Sequence, residues 1–187
     1  MNINEKIICT ELVQEFNELV TTPTIRLTED YRELCIDLVK QEEEEFWDAL
    51  KEDDGIGVID AMCDLFVVLT QAISCPTMKP AQYVPFIERL QELHWLADNS
   101  GVPYHACVLA VCKSNLSKVP LLEDVKEMYG DDPQVAMASA SDWIESQGRY
   151  KDVYGTIIKT SQSGLRVVFK CSTGKVVKPW CFSEPSF

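Results

Sequence analysis

Apolar residues recur along most of the chain with the three- to four-residue spacing of amphipathic helices. Between residues 5 and 20 they occupy positions 8, 9, 12, 13, 16, 19 and 20, which predicts a first helix ending before Pro23. Thr28-Glu29-Asp30 is typical of a helix N-terminus and predicts a long helix to about Lys51. Further helices are predicted over about 57–74, 84–99, 104–111 and 134–146, the last one after Asp132-Pro133.

The pattern changes after residue 150. Residues 153–159 and 165–170 are rich in β-branched and aromatic side chains, and Ser161-Gln162-Ser163-Gly164 between them predicts a hairpin. Lys175-Val176-Val177-Lys178 predicts a third short strand. The predicted fold class is therefore mainly α, a helical bundle with a small C-terminal β-hairpin or three-stranded appendage. We divide this single domain into a helical core over 1–120, an acidic helical insertion over 121–150, and a β appendage with tail over 151–187.

Composition and charge limit the class of protein. The chain has 187 residues, of which 46% are hydrophobic and 25% charged, as in a globular domain of ordinary size. The net charge of −13 argues against a nucleic-acid partner, because binding to phosphate backbones relies on clustered Lys and Arg. A protein this acidic would need metal ions to handle phosphates. No uninterrupted run of 18 apolar residues occurs, so we expect no membrane association.

Cysteine usage and the N-terminus bear on the cellular compartment. The eight cysteines form no CxxC pair and show no metal-finger spacing, which predicts reduced thiols. The first residues lack the basic start and long apolar segment of a secretory signal, so we expect a cytoplasmic protein. His94 lies among apolar residues and His105 beside Tyr104, and both are expected to be packed or half-exposed side chains rather than metal ligands. The four tryptophans are likewise expected to be packing residues.

Four carboxylates fall on the apolar sides of two helices that a short turn joins. At about 100° per residue, Glu42 and Glu45 lie within the apolar stripe of the first helix, whereas Glu43 and Glu44 point to solvent. Asp60 and Asp64 are one turn apart in the apolar second helix. A core-facing carboxylate is costly unless it is paired or metal-bound. These four residues, the acidic quartet, predict a Mg²⁺ or Mn²⁺ site, with a purely structural role as the alternative.

A second group of polar residues follows the apolar helix that begins near Tyr104. In Lys113-Ser114-Asn115-Leu116-Ser117-Lys118, Asn115 and Lys118 are three residues apart and so share a helix face. An ammonium group and an amide are both suited to binding phosphate. The alternative is a solubilising helix terminus, where lysine is favoured in any case.

These motifs together resemble one enzyme family. Residues 41–49 followed by Asp60-Ala61-Met62-Cys63-Asp64 resemble the EExxE…ExxD pattern of the MazG-like all-α nucleoside triphosphate pyrophosphohydrolases. Within this family, the chain is most similar to the phosphoribosyl-ATP pyrophosphohydrolase-like proteins seen in bacteriophages. Residues Ser114–Lys118 resemble the SNMSK element of that branch, and residues 173–185 resemble its C-terminal element. The resemblance covers about 7–120 and 145–187. It departs from the family at Gln41 and Ala61, where carboxylates are missing, and at Pro179, where the family has glycine.

The resemblance implies an activity and roles for named residues. The activity is Mg²⁺-dependent conversion of a (d)NTP to a (d)NMP and pyrophosphate, in house-cleaning or adjustment of the nucleotide pool by a homo-oligomer, with a dimer favoured. Glu42, Glu45, Asp60 and Asp64 would hold the metal, with Glu42 or Glu45 also activating water. The phosphate chain would be bound by Asn115, Lys118, Lys175 and Lys178. Two alternatives stay open: a catalytically weakened nucleotide-binding module of this fold, and a Ca²⁺-binding or purely structural helical bundle.

Overall fold

The computed structural model describes residues 3–159 and 164–187, and within them the chain is mainly helical with one small antiparallel sheet. The elements, in chain order, are α1 (Ile3–Val20), α2 (Pro23–Arg26), α3 (Glu29–Lys51), α4 (Gly55–Ile73), α5 (Pro80–Ser100), α6 (Tyr104–Ser117), α7 (Leu122–Tyr129), α8 (Pro133–Ser146), β1 (Tyr154–Lys159) and β2 (Leu165–Lys170). The predicted mainly α class with a C-terminal hairpin is confirmed at this level.

Side-chain caps fix the beginnings of the predicted helices. Thr28 Oγ1 accepts a hydrogen bond from the Tyr31 amide at 3.2 Å, and Asp54 Oδ1 accepts one from the Gly57 amide at 3.0 Å. Asp132 Oδ1 accepts from the first amides of α8. Each cap satisfies backbone donors that have no partner within the helix. The predicted caps at Thr28 and Asp132 are therefore confirmed.

Two helices are additions to the sequence prediction. α2 follows the predicted break at Pro23, where the Thr22 side chain caps a single helical turn. α7 lies at the start of the predicted acidic helical insertion, in which only the helix over 134–146 was specified, and it buries only Leu122 and Val125. α6 also runs on to Ser117, so that Ser114 to Ser117 are helical. α2 buries no side chain and α7 buries two, so both helices carry too weak a periodicity to be predicted.

The chain divides into two compact units, each with its own core. The first unit comprises Met1–Lys113 and Pro185–Phe187. Its central element is α4, which packs against α1, α3 and α5 and buries ten side chains. The three-residue connection between α3 and α4 makes these two helices antiparallel neighbours, and this pair carries the acidic quartet.

α4 is also long and apolar enough to be compared with a membrane-spanning helix. By length and composition, Gly55–Ile73 is the one described helix that could cross a membrane, with a mean hydropathy of 1.8 in its best window. Of that window, 56% is buried inside the fold. The core helix of a soluble protein passes the same test, so this observation is weak evidence for a membrane span.

The second unit, Ser114–Glu184, joins segments that the sequence analysis separates. Side chains from α7, α8, the hairpin and the C-terminal segment share one core: Leu122, Val125, Ala136, Met137, Ala140, Ile144, Val153, Val167, Phe169, Cys171 and Val177. The two strands pair in the register Tyr154↔Lys170 to Lys159↔Leu165. The predicted turn residues Ser161, Gln162 and Ser163 lie outside the described residues.

The predicted third strand over 175–178 is wrong. Within the described residues the sheet has two strands, and this segment contributes a single bridge between Val176 and Lys170. The Val177 amide donates to the Phe169 carbonyl at 3.0 Å, and pairing then stops. Pro179 follows two residues later and has no N–H to donate, so the segment cannot extend as a strand.

Candidate metal and phosphate sites

The antiparallel helix pair places the acidic quartet at matching heights. Glu42 lies nine residues before the end of α3 and Asp64 nine residues after the start of α4. At about 1.5 Å per residue, both are roughly 13 Å from the connecting turn. Glu45 and Asp60 are six and five residues from the same turn and so form a second level. Along the helix axes, Glu42 is therefore level with Asp64, and Glu45 is level with Asp60.

Burial separates the members of the quartet. Glu42, Asp60 and Asp64 are half-buried, whereas Glu45 is exposed, so its predicted place in the apolar stripe is wrong. The buried side chains of α3 are Tyr31, Cys35, Val39 and Phe46. At about 100° per residue, Glu42 is roughly 20° from Cys35 around the helix and Glu45 roughly 80°. The stripe is narrower than its sequence spacing suggests, and Glu45 lies at its margin.

Of the two glutamates predicted to point to solvent, Glu43 and Glu44, only one does so. Glu44 is exposed as predicted. Glu43 is half-buried and does not simply point to solvent, because its Oε1 accepts a hydrogen bond from Arg89 Nε on α5 at 2.9 Å. Glu43 therefore connects two helices of the first unit.

The two aspartates of α4 affect the pKa of a neighbouring buried cysteine, Cys63. Burial raises the pKa of the Cys63 thiol, and the nearby Cys107 thiol and the carboxylates of Asp64 and Asp60 raise it further. A negative charge beside a thiol disfavours the thiolate. The two aspartates are thus close to a fully buried cysteine and border the core of the first unit.

Whether the acidic quartet suits a divalent cation depends on the chemistry of its ligands and on how they are grouped. Carboxylate oxygens are the ligands that Mg²⁺ prefers, so the chemistry matches. No three His, Cys, Asp or Glu side chains among residues 3–159 and 164–187 are grouped so as to hold a metal ion. Mg²⁺ commonly binds through one or two carboxylates together with waters and substrate phosphates, and does not require an all-protein cage. The donor chemistry thus matches Mg²⁺, but the described residues form no metal site made of protein ligands alone.

In the second unit, three of the four predicted phosphate-binding residues come together. Lys118 Nζ donates to Asn115 Oδ1 at 2.6 Å, so the expectation that they share a face is confirmed. Lys178 Nζ lies 4.1 Å from the centroid of the Phe182 ring, and Lys118 Nζ lies 5.8 Å from the same centroid. Lys175 is exposed, and its side chain makes none of these contacts. We call Asn115, Lys118, Lys178 and Phe182 the lysine cluster.

Hydrogen bonds hold the C-terminal segment at the end of α6. The Ser183 amide donates to Ser117 Oγ at 3.0 Å, and Cys181 Sγ donates to the Ser117 carbonyl at 3.4 Å. Lys178 Nζ is also 2.8 Å from Glu184 Oε1. Sequence reasoning missed Phe182 and Glu184 as members of this region. The only signal was that both lie within the segment resembling the family's C-terminal element.

The two histidines are half-buried, in agreement with the prediction of packed or half-exposed side chains. The His94 ring lies between Phe66 and Tyr104, with ring centroids 6.0 Å away on each side. Its Nδ1 is buried and has no hydrogen-bond partner in the described part of the chain. Burial, with a smaller contribution from the charge of Lys6, lowers the pKa of His94 to about 4.

His105 lies beside a buried thiol. The distance between His105 Nδ1 and Cys9 Sγ is 3.7 Å, and Cys112 Sγ is 4.0 Å from the Cys9 carbonyl oxygen. A hydrogen bond from Cys112, followed by the His105 interactions, lowers the pKa of Cys9 to about 7. All eight cysteines are free thiols, and seven of them are buried.

The tryptophans divide into two kinds. Trp180 packs edge-on against Tyr129 with ring centroids 5.0 Å apart. Trp47 and Trp95 are 56% and 67% exposed, so the prediction that they are packing residues is wrong. Trp47 meets Phe46 edge-on at the surface of the first unit.

A small polar cleft opens in the first unit and was not predicted. It encloses about 20 Å³ and is lined by Gln14, Asn17, Arg26, Tyr31, Gln71, Ser74 and Pro76. Gln71 Nε2 donates to the Tyr31 hydroxyl at 3.2 Å inside it. A space of this size holds a water molecule but not a nucleotide, so we do not assign substrate binding to the cleft.

Comparison of the whole chain with protein-family models, with curated proteins and with solved structures finds no significant match.

Proposed function

We propose that this protein is a Mg²⁺-dependent nucleoside triphosphate pyrophosphohydrolase with an all-α pyrophosphohydrolase-like bundle. Its reaction converts a (d)NTP to a (d)NMP and pyrophosphate, and its role is house-cleaning or adjustment of the nucleotide pool in the cytoplasm. The observation that carries the proposal is the lysine cluster. Two segments that resemble separate family motifs meet there, although Lys118 and Lys178 are distant in sequence.

The charge balance supports a phosphate ligand at the lysine cluster. The chain has 17 Lys and Arg against 30 Asp and Glu, yet two ammonium groups lie near one ring, and the exposed Glu184 carboxylate offsets only one of these two charges. Ammonium groups bind phosphate oxygens through charge-assisted hydrogen bonds. In the proposed reaction Lys118 and Lys178 stabilise the charge that develops on the leaving pyrophosphate. Asn115 orients the Lys118 ammonium through its 2.6 Å hydrogen bond.

The acidic quartet supports a role for a divalent cation. Glu42, Asp60 and Asp64 would hold Mg²⁺, or Mn²⁺ in its place, with Glu45 as an outer contributor at the exposed margin of α3. Bound there, the ion would neutralise phosphate oxygens and lower the pKa of a coordinated water. Glu42 or Glu45 accepts a proton from the attacking water, whose oxygen forms the new bond to the α-phosphorus. The α–β bridging oxygen then leaves with pyrophosphate.

A specific observation favours the second candidate, a nucleotide-binding module without full activity. Ala61 is 6% exposed at the position where the family has a ligand carboxylate, so neither water nor metal reaches it easily. Gln41, at the other departure, is exposed and neutral. Both changes reduce the number of carboxylates available to a metal ion, which would weaken catalysis more than nucleotide binding.

A homodimer is part of the proposal. Trp47, Leu50 and Ile56, near the turn between α3 and α4, are 56%, 44% and 71% exposed. Exposed apolar groups of this size commonly mark contact surfaces. Sedimentation equilibrium tests this part, since a monomer has a mass of 21.2 kDa. A chain that stays at the monomer mass at all concentrations contradicts it.

The activity is tested by measuring pyrophosphate release from a panel of (d)NTPs with Mg²⁺ or Mn²⁺. We expect Glu42→Gln and Asp64→Asn to lower kcat/KM on the order of 100-fold. Glu44→Gln is the matched control, because Glu44 belongs to the same run and is exposed. It should retain full turnover.

Two outcomes would change the conclusion. If no nucleotide is hydrolysed but Mg²⁺-nucleotide binds and Glu42→Gln weakens it, the binding-module alternative replaces the enzyme. If no nucleotide is hydrolysed and Glu42→Gln leaves metal and nucleotide binding unchanged, both candidates fail.

A further inference from the structure

The Phe182 ring is the common neighbour of two ammonium groups. Lys178 Nζ is 4.1 Å and Lys118 Nζ 5.8 Å from its centroid, both within the range of a cation–π contact. A lysine ammonium on its flexible four-carbon stem has no preferred position of its own. Two like charges brought close together also repel each other. An aromatic face that attracts both ammoniums offsets these two effects.

The backbone around Phe182 fixes the position of the ring. The Phe182 amide donates to the Pro179 carbonyl at 3.1 Å, which closes a turn. Ser117 Oγ accepts from the Ser183 amide at 3.0 Å and donates to the Ser114 carbonyl at 2.7 Å. The donated hydrogen bond orients the Ser117 hydroxyl on α6, and the accepted one joins this hydroxyl to the turn. The ring is half-buried as a result.

We infer that Phe182 is a positioning residue for phosphate binding, which holds the ammonium groups of Lys118 and Lys178 at one place. The inference rests on the proposed function for the phosphate role of the two lysines. Phe182 itself touches no substrate. Without the ring, Lys118 keeps its hydrogen bond to Asn115 and Lys178 keeps its ion pair with Glu184, but the ring no longer draws the two ammonium groups to one place. Phosphate affinity therefore falls without a change in net charge.

The test measures binding of inorganic pyrophosphate to the full chain by isothermal titration calorimetry. We expect Phe182→Leu to weaken binding on the order of fivefold, because Leu keeps much of the apolar volume but has no aromatic face. Phe182→Tyr and Phe182→Trp keep a ring face and should stay close to the parent affinity. A role confined to packing would not be rescued by the larger Trp while failing with Leu.

The matched control is Tyr150→Leu. The Arg149 guanidinium lies 5.4 Å from the centroid of the Tyr150 ring. Tyr150 also packs against the core of the same unit as Phe182. Its loss therefore removes a comparable contact and destabilises the same unit, but pyrophosphate affinity should not change. Phe182→Met serves as a second variant without an aromatic ring should Phe182→Leu not fold.

Three outcomes overturn the inference: equal pyrophosphate affinity in Phe182→Leu and the parent, equal losses in Phe182→Tyr and Phe182→Leu, or no pyrophosphate binding by the parent. Measuring NTP hydrolysis in the same variants distinguishes failure of this inference from failure of the proposed function. If the parent binds pyrophosphate in a Phe182-dependent way without hydrolysing any NTP, the inference stands and the enzymatic proposal fails. If NTP is hydrolysed with the same KM in Phe182→Leu, the inference fails and the proposed function stands.

Discussion

Arg89 on α5 donates through Nε to Glu43 Oε1 on α3 at 2.9 Å, and its Nη1 is 3.0 Å from Glu92 Oε2. The hydrogen bond to Glu92, followed by the charge of Glu43, raises the pKa of the Arg89 guanidinium. The four adjacent glutamates therefore differ in their environments. Glu42 borders the core, Glu43 joins two helices, and Glu44 and Glu45 face solvent.

The first prediction is that Glu43→Gln has a small effect on stability and none on the proposed pyrophosphohydrolase activity. The Arg89 side chain is 55% exposed and that of Glu43 30%, so solvent screens the ion pair. We expect the free energy of unfolding to fall by about 0.5 kcal/mol, as for other exposed pairs. Urea denaturation measures the loss, with Glu44→Gln as the control. Pyrophosphate release that falls as strongly in Glu43→Gln as in Glu42→Gln would contradict the division of the glutamate run.

The fold was predictable where local signals suffice. The cap at Thr28 and the Asp132-Pro133 pair predicted two helix starts, because capping depends on residues within one turn. α7 was missed because its stability comes from burying Leu122 and Val125 in a core formed by later segments. The third strand failed for the same reason, since strand pairing depends on partners elsewhere in the chain.

The site was predictable only in part. Residue spacing was enough to place Glu42, Asp60 and Asp64 near the core of a helix pair. It could not place Glu45, because the width of the buried stripe depends on what packs against α3. The contact between Phe182 and Lys118 could not be read from the sequence at all, because it requires the C-terminal segment to return to the end of α6.

A second prediction concerns the hydrogen bond between α6 and α4. Tyr104 is 4% exposed, and its hydroxyl donates to the carbonyl of Met62, which lies between the two aspartates of α4 in sequence, at 2.9 Å. Tyr104→Phe removes this bond while keeping the ring, and we expect a loss of about 1 kcal/mol in the free energy of unfolding. Urea denaturation measures it, with Tyr154→Phe as control because Tyr154 is 50% exposed. Equal stabilities of the two variants would show that the bond contributes nothing.

The third prediction is that Glu184→Gln strengthens pyrophosphate binding. Glu184 Oε1 is 2.8 Å from Lys178 Nζ, where it competes with a phosphate oxygen for the same ammonium. The Glu184 side chain is 71% exposed, so the gain in affinity should be no more than about fivefold. It should shrink as ionic strength rises.

Glu123→Gln controls for the change in net charge, because Glu123 pairs with Lys126 at 3.2 Å in the same unit. Calorimetry with pyrophosphate compares the two variants. If both raise the affinity equally, long-range charge explains the effect and the contact with Lys178 does not.

The last prediction follows from the burial of His94. Its pKa in the folded chain is about 4, below the ordinary value of 6.5, because burial disfavours the charged ring and Lys6 adds to the effect, while Asp98 opposes it. Above pH 6.5 the ring is neutral in both folded and unfolded chains. Between pH 6.5 and 4 the unfolded chain binds a proton that the folded chain does not, so the free energy of unfolding falls as the pH falls. Solvent reaches the half-buried His94 side chain and screens part of this effect, so the full loss should stay well below about 3 kcal/mol.

His94→Phe removes this titration and keeps an aromatic ring between Phe66 and Tyr104. Carboxylates elsewhere also make stability depend on pH, so the comparison uses the difference between parent and variant. We expect the variant to gain stability relative to the parent as the pH falls from 7 to 4.5, measured by urea denaturation at each pH. Parallel pH profiles for the two proteins would mean that His94 takes up a proton as readily in the folded chain as in the unfolded chain.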